Sequence, residues 1–409
     1  MTEKLKRISD LEERILSCVA VGDCRGALKG SFKNPILEAA CPMRDHGPGF
    51  EAFFARGRFT LARALLDKKI EPSEGLAEII YQCTLCGACR EVCNNPESPC
   101  MSISARENIG DHIEIWEALR ADLVDLGVAP LPRHKEITAH EIVEHNPYFE
   151  KHNDRLNWIP KDFKFLHKGG DALFFVGCTS AYRLNNISST FLEIANKSDI
   201  KLSISPNEWC CGSVNLRTGA ENIFKDLAEH NLTVFKDFEV DKIVTTCAGC
   251  YRTLKNDYPK YLEDWDFEVL HSIEMIDEFL NSGEIKIAKK IDGVITYHDP
   301  CHLGRHSGVY NAPRNVIDAI RKDEFVEMRH IRNYSYCCGA GGGVKSGFPD
   351  LALEIAVDRV QEAEETGAKF LTTVCPFCLT NFKDAVKEIK SDLIVIDLLE
   401  LVNKVINYK

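Results

Sequence analysis

The chain predicts an α/β protein with a mostly helical N-terminal region followed by two copies of a parallel-sheet domain. Three observations carry this. From residue 169 onward, short apolar strands alternate with amphipathic helices. Residues 169–285 and 286–409 repeat the same order of strands and cysteines. Before them, residues 1–126 show helical apolar spacing broken by cysteine-rich loops.

The elements follow in order. MTEKLKRISDLEERIL reads as a charged amphipathic helix, and GFEAFFARGRFTLARALLDKK as a helix between two cysteine groups. In DHIEIWEALRADLVDL, residues Ile113, Trp116, Leu119, Leu123 and Leu126 recur near helical spacing, as core-facing residues do. Residues 127–168, rich in proline, histidine and charge, read as a linker wrapping a domain surface, and their histidines lack ligand spacing. ALFFVGC, IKLSISP, DKIVTTC and FEVLHS are the expected strands of the first repeat, with GVITYHDPC, FVEMRHI, AKFLTTVC and LIVIDLL as their counterparts in the second. The expected domains are therefore 1–126, a linker 127–168, 169–285 and 286–409.

The repeat can be checked residue by residue. Cys178 aligns with Cys301, Cys210-Cys211-Gly212 with Cys337-Cys338-Gly339, and the pair Cys247 and Cys250 with Cys375 and Cys378. Thirty-one residues separate Cys178 from Cys210 and 35 separate Cys301 from Cys337; from CC pair to CxxC the gaps are 35 and 36. Arg217-Thr218-Gly219 aligns with Lys345-Ser346-Gly347.

Composition narrows the chemistry. Fifty basic against 62 acidic residues give a net charge of −12, which argues against binding a nucleic-acid backbone. No apolar run is long enough to cross a bilayer, and the N-terminus lacks the apolar core of a secretory signal. The expectation is a cytoplasmic protein, peripheral to a membrane only through a partner. Eighteen cysteines in a chain of 409 residues, grouped as CxxC and CC, do not read as the disulfide framework of a small secreted domain. Four thiolates saturate zinc, so sets of five fit it poorly.

Several of these cysteines follow expected strand ends, where the crevice of an open parallel sheet gathers ligands. Thiolates are the usual ligands of iron–sulfur clusters, and adjacent thiolates such as Cys210 and Cys211 suit a centre with several irons. The run Gly339-Ala340-Gly341-Gly342-Gly343 allows backbone to approach a bulky centre; following CC, and without an acidic strand end, it does not read as a dinucleotide fingerprint.

The duplicated C…CCG…CxxC pattern resembles the CCG-domain family, typified by the B- and D-type subunits of heterodisulfide reductase. The family also holds iron–sulfur subunits of anaerobic glycerol-3-phosphate dehydrogenase, glycolate oxidase and lactate-utilisation systems. The resemblance implies that each complete set holds a noncubane [4Fe–4S] cluster: Cys178, Cys210, Cys211, Cys247 and Cys250 one, and Cys301, Cys337, Cys338, Cys375 and Cys378 the other. It further implies disulfide cleavage by one-electron chemistry at the paired clusters. Arg217 and Lys345 are candidates for holding an anionic substrate group, or ordinary charges at helix starts. His298 and His302 are candidate proton donors, or simply strand-end hydrogen-bonding residues.

The N-terminal region resembles a bacterial ferredoxin. Cys83, Cys86, Cys89 and Cys93 form a full CxxCxxCxxxC run, and in such pairs the fourth cysteine ligates the other cluster. That pattern gives Cys83, Cys86 and Cys89 with Cys41, which precedes Pro42, to one [4Fe–4S] cubane. It leaves Cys18, Cys24 and Cys93 for a second site, where Val21 stands in a usual cysteine position and 16 residues separate Cys24 from Cys41. This site would hold a [3Fe–4S] or [4Fe–4S] cluster, with Cys100 as a replacement ligand, or stay empty.

Three functions follow as expectations. The first is an anaerobic oxidoreductase subunit that reduces a disulfide or oxidises thiols. The second is an electron-transfer subunit of a flavin-dependent 2-hydroxyacid or glycerol-3-phosphate dehydrogenase complex. The third is a zinc-stabilised interaction protein. With no flavin or nicotinamide fold visible, both redox readings need partner subunits: a flavoprotein, a ferredoxin-like protein, a hydrogenase or a cytochrome b.

Overall fold

The computed structural model describes residues 5–22, 24, 40–94, 108–161 and 163–406. The chain divides into two compact units, one drawn from residues 1–136, 214–221 and 329–359, the other from 137–213, 222–328 and 360–409. The first repeat thus lends the segment just after its CC pair to the N-terminal unit, and the second repeat lends a segment that contains its CC pair.

Both sheets lie in the second unit and are wholly parallel. Strands β1 (Ala172–Phe175), β2 (Leu202–Ser203), β3 (Lys242–Thr245) and β4 (Glu268–His271) form one sheet in the order β2-β1-β3-β4. Strands β5 (Ile295–Tyr297), β6 (Phe370–Thr373) and β7 (Ile394–Asp397) form the other, in the order β5-β6-β7. Every residue of β1 and β6 is buried. That is why these strands read as unbroken apolar or threonine runs: helices cover both faces of a parallel sheet. Leu173, Phe174 and Phe175 pair with Ile243, Val244 and Thr245, so β1 and β3 end side by side. The strand order reverses direction at this pair, and loops beyond the carboxyl ends of such a pair form a crevice. Cys178 follows β1 and Cys247 follows β3. Each repeat then closes with the same device. His271 and Asp397, at the ends of β4 and β7, cap the helices Ser272–Ser282 and Leu398–Asn403, and Glu274 and Glu400 complete the capping boxes.

The N-terminal unit is helical. Helices Lys6–Asp10, Glu12–Leu16, Ala55–Leu66, Glu74–Tyr81 and His112–Asp125 enclose a core that includes Ile8, Ile15, Phe59, Ile80, Tyr81, Ile113, Trp116, Leu119 and Leu123. Arg7 ties the first helix down through Asp122 (3.1 Å), Asp125 (2.6 Å) and Glu221 (2.7 Å).

Four sequence expectations need correction. FVEMRHI forms no strand of the second sheet; only Phe325 bridges to Ile295, and the pattern breaks where Glu327 turns to a two-pronged pairing with Arg314. IKLSISP contributes only the two residues of β2. The 127–168 segment carries a 13-residue helix, Pro132–Glu144. The helix expected from residue 49 begins at Ala55, because a short turn, Glu51–Phe53, folds back over it. Gly57 permits that fold, since a Cβ there would lie 1.8 Å from the Glu51 carbonyl. No helix among the described residues is long and apolar enough to cross a membrane.

Candidate metal centres

In the second unit the five cysteines of the first repeat meet at the crevice beyond β1 and β3. The Cys210 thiol is within hydrogen-bonding reach of Cys178 and Cys211, and that of Cys250 is within reach of Cys211 and Cys247. Cys247 also reaches Cys375, one of the CxxC pair of the second repeat, which in turn reaches Cys378. The two CxxC pairs therefore come within reach of each other, each with its first cysteine at the N-cap position of a helix, Ala248–Arg252 and Pro376–Glu388. Helix N-termini favour negative charge, which suits thiolates there.

Local structure fixes this crowd. Gly177 turns from β1 to Cys178 with φ +73°, and a Cβ at this position would lie 2.9 Å from the Cys250 sulfur. Buried Asn231 clamps the CC loop: it accepts from the Trp209 amide (2.9 Å) and donates to the Cys210 carbonyl (3.1 Å). The linker contributes too. The His145 carbonyl accepts from the Cys210 amide (2.9 Å), and Tyr148 bonds through its hydroxyl to Thr179 (2.8 Å). Burial pushes the Tyr148 phenol up, and thiolate charge at Cys178, Cys247 and Cys210 pushes it further, so its hydroxyl stays protonated against the cysteines.

The second set is distributed otherwise. Cys301 follows β5, half-buried, and Cys375 and Cys378 follow β6; these three belong to the second unit. Cys337 and Cys338, both buried, belong to the first unit. There, Cys337 donates to the Thr84 hydroxyl at 3.3 Å, inside the run Cys83–Cys86. The glycine run explains this meeting. A Cβ at Gly341 would lie 2.6 Å from the Thr84 carbonyl, and one at Gly342 2.6 Å from the Cys83 carbonyl. The close approach expected of these glycines is made to the backbone of the N-terminal cysteine loop. Arg120 locks the two loops, donating to the carbonyls of Gly342 (2.7 Å) and Cys83 (2.7 Å).

In the N-terminal unit, the Cys89 thiol is held well above its usual range by burial and then by Cys83, Cys86, Cys24 and Cys41 around it. Burial likewise pushes Cys41 up to about 12; Arg58 opposes this, while Cys86 and Cys83 add to it. Cys24, also at about 12 through burial, has Cys93, Cys41 and Cys18 about it. Leu85 (φ +53°) and Gly87 (φ +77°) coil the run around its interior. His112 places Nδ1 3.3 Å from the Cys89 sulfur. The loop through Cys18 is gripped by Arg63, which donates to the Ile15, Leu16 and Cys18 carbonyls. Cys100 lies outside the described residues.

Such thiol groups suit metal clusters and little else. Buried thiols crowded together resist ionisation, and a cationic centre reverses that cost. Arg58 points the same way. It is fully buried beside Cys41, and its Nε and Nη2 have no hydrogen-bond partner among the described residues, as expected of a guanidinium that faces an anionic cluster.

Comparison with known proteins agrees. The family model described as "Cysteine-rich domain" (CCG) matches residues 172–255 and 295–383, one match on each repeat. The D-type subunit of a dihydromethanophenazine:CoB–CoM heterodisulfide reductase from Methanosarcina mazei is 40% identical over 80% of this chain and 78% of its own. The chain belongs to the CCG-domain iron–sulfur oxidoreductase family that includes this reductase. The B-type subunit of a fumarate reductase (CoM/CoB) from Methanothermobacter marburgensis is 32% identical over 92% of this chain and 72% of its own. A solved structure of a hypothetical protein from Helicobacter pylori shares the fold, with TM-score 0.52 and 11% identity over 87% of this chain and 67% of that one. As a family member the chain is an iron–sulfur oxidoreductase subunit.

Two sequence candidates change meaning. Arg217 is buried and paired with Glu117 at 3.0 Å in the N-terminal unit, so its charge serves packing there and not a substrate anion. His298 is buried, with its ring edge-on to Phe382. The residues that sequence reasoning missed are Tyr148 and Arg155 of the supposed linker, with Glu208, Arg58 and His112. Of these only Glu208, a carboxylate two residues before a CC pair, stands out in the sequence.

Proposed function

We propose that the chain is the iron–sulfur subunit of a heterodisulfide reductase-like complex, in which a disulfide is reduced, or two thiols are oxidised, at the two five-cysteine sets. The contact between Cys247 and Cys375 is the observation that carries this reading, because it brings cysteines of both repeats to one place. A disulfide takes up two electrons and two protons and yields two thiols, while iron–sulfur clusters pass electrons singly; two adjacent sites match that requirement. When bound, the clusters supply one-electron transfer and iron atoms able to take up sulfur.

In this reading Cys178, Cys210, Cys211, Cys247 and Cys250 hold one noncubane [4Fe–4S] cluster, and Cys301, Cys337, Cys338, Cys375 and Cys378 the other. Cys41, Cys83, Cys86 and Cys89 hold a cubane [4Fe–4S] cluster, and Cys18, Cys24 and Cys93 a second N-terminal cluster of three or four irons. The bond from Cys337 to Thr84 supports a path from the cubane group to the second repeat. Tyr148 stays protonated and packs against Cys178 and Cys210 of the first set. The electrons are exchanged with a partner protein, whether a flavoprotein, ferredoxin-like protein, hydrogenase or cytochrome b, and the complex is cytoplasmic or held at a membrane by that partner. The substrate class is a heterodisulfide of two small thiols, of the kind named for the Methanosarcina relative.

Cys337→Ser and Cys338→Ser test the assignment. Each abolishes disulfide turnover in the anaerobically purified complex while sparing the paramagnetic signal of the cubane group. Unchanged turnover in both variants defeats it.

A further inference from the structure

Arg155 and Glu208 form an ion pair with side chains only 1% exposed each. Burying two charges is costly and is sustained only where further hydrogen bonds satisfy them. Glu208 is satisfied from the backbone, accepting from the amides of Val176 (2.8 Å) and Gly177 (3.0 Å), the residues that lead from β1 to Cys178. Arg155 directs Nη2 to Glu208 and Nη1 to the Cys178 sulfur at 3.6 Å, within range for a sulfur acceptor. Its Nε has no partner among the described residues. The ring of Tyr182 lies 5.8 Å from the guanidinium carbon and helps fix its plane. The guanidinium is thus a rigid, permanently charged donor aimed at one cysteine.

The second repeat lacks the carboxylate of this arrangement. Where Glu208 stands two residues before Cys210, Ser335 stands two residues before Cys337. One buried arginine of the second repeat, Arg314, has all five N–H groups engaged, by both oxygens of Asp299, both of Glu327 and the Tyr310 carbonyl.

We propose that Arg155 sets the reduction potential of the cluster held by the first repeat, raising it through its N–H bond to the Cys178 sulfur. The inference rests on the reading that Cys178 is a cluster ligand. The physical basis is general. Reduction adds negative charge that is spread over the ligand sulfurs, and a donor fixed at one of them stabilises the reduced form more than the oxidised form. Glu208 acts in opposition: it orients Arg155 and also offsets its charge.

Two variants separate this role from mere support, because they move the potential in opposite directions. Arg155→Gln with Glu208→Gln removes both charges without stranding a carboxylate. Glu208→Gln alone leaves an uncompensated guanidinium at Cys178. Midpoint potentials are read by titration under argon with paramagnetic resonance detection, and iron is assayed on the same samples. The double variant should shift the reduction equilibrium of one centre about tenfold toward the oxidised form, about 59 mV downward for a one-electron couple. Glu208→Gln should shift the same centre upward, the other centres staying in place. Absence of a shift in loaded protein, or shifts of the same sign in both variants, overturns the proposal. If one variant fails to take up iron, the sign given by the other decides. Cys178→Ser, run alongside, tests the underlying reading separately: unchanged iron and unchanged signals in that variant remove Cys178 from the ligand set.

Discussion

Arg120 offers a quantitative test of how the N-terminal unit is held. Its side chain is fully buried and donates to four carbonyls, those of Arg217 (2.7 Å), Gly342 (2.7 Å), Ile80 (2.9 Å) and Cys83 (2.7 Å). These belong to three stretches far apart in sequence: the Cys83 loop with the helix before it, the segment after the first CC pair and the segment after the second. Arg120→Met keeps much of the volume and removes every donor. The Ile80 carbonyl keeps the Cys83 amide (3.3 Å); each of the three stranded carbonyls costs about 1–3 kcal/mol, so the variant should lose at least about 3 kcal/mol. That is a large share of the roughly 5–15 kcal/mol by which domains are stable. Arg120→Lys keeps the charge but concentrates its donors at one point, reaching about two of the four carbonyls, and should lose about half as much. Urea unfolding of protein prepared without oxygen measures this, with the fluorescence of Trp116 reporting from the same helix. A loss under about 1 kcal/mol in Arg120→Met, or equal losses in the two variants, would show that these hydrogen bonds do not hold the unit together.

Gly177→Ala should expel iron from the first repeat while leaving the signal of the Cys83 group, since its Cβ would sit 2.9 Å from the Cys250 sulfur at a backbone of φ +73°; metal analysis with resonance spectra reads this directly. His134 gives a pH prediction. Burial lowers it to about 4, against the usual 6.5, while it pairs with the Gly343 carbonyl at 2.9 Å. The unfolded chain therefore binds the extra proton first. The contribution of the neutral ring is fully present above about pH 6.5 and declines as pH falls toward about 4. Between pH 7.5 and 5.5 the wild type should lose about 1 kcal/mol more than His134→Gln, which keeps a donor for the carbonyl without titrating. Parallel urea curves at the two pH values provide the check.

The cysteine arithmetic made most of the architecture legible. The duplicated spacing located both sheets, and strands buried on both faces, such as Ala172–Phe175, announce themselves as apolar runs. The element that failed, FVEMRHI, failed for a reason outside the local pattern: Glu327 is drawn to Arg314, 13 residues before it in sequence. The division into units was also hidden, because nothing local says that residues 214–221 and 329–359 leave their own repeats. The glycine run did signal a close approach, but its target, the Cys83 and Thr84 carbonyls, is some 250 residues away in sequence. Arg155 left no trace at all. An isolated arginine in a charged stretch reads as solvated, and only the fold brings it to Glu208 and Cys178.

The most direct test of the central claim is paramagnetic resonance on protein purified without oxygen, oxidised and then exposed to candidate thiols, with iron and sulfide assayed on the same sample. Roughly 16 irons per chain are expected, slightly fewer with a three-iron centre. A new signal should appear only with a cognate thiol and disappear in Cys337→Ser. Full iron loading with no thiol-dependent signal for any candidate would contradict disulfide chemistry at these cysteines and leave the chain as an electron relay.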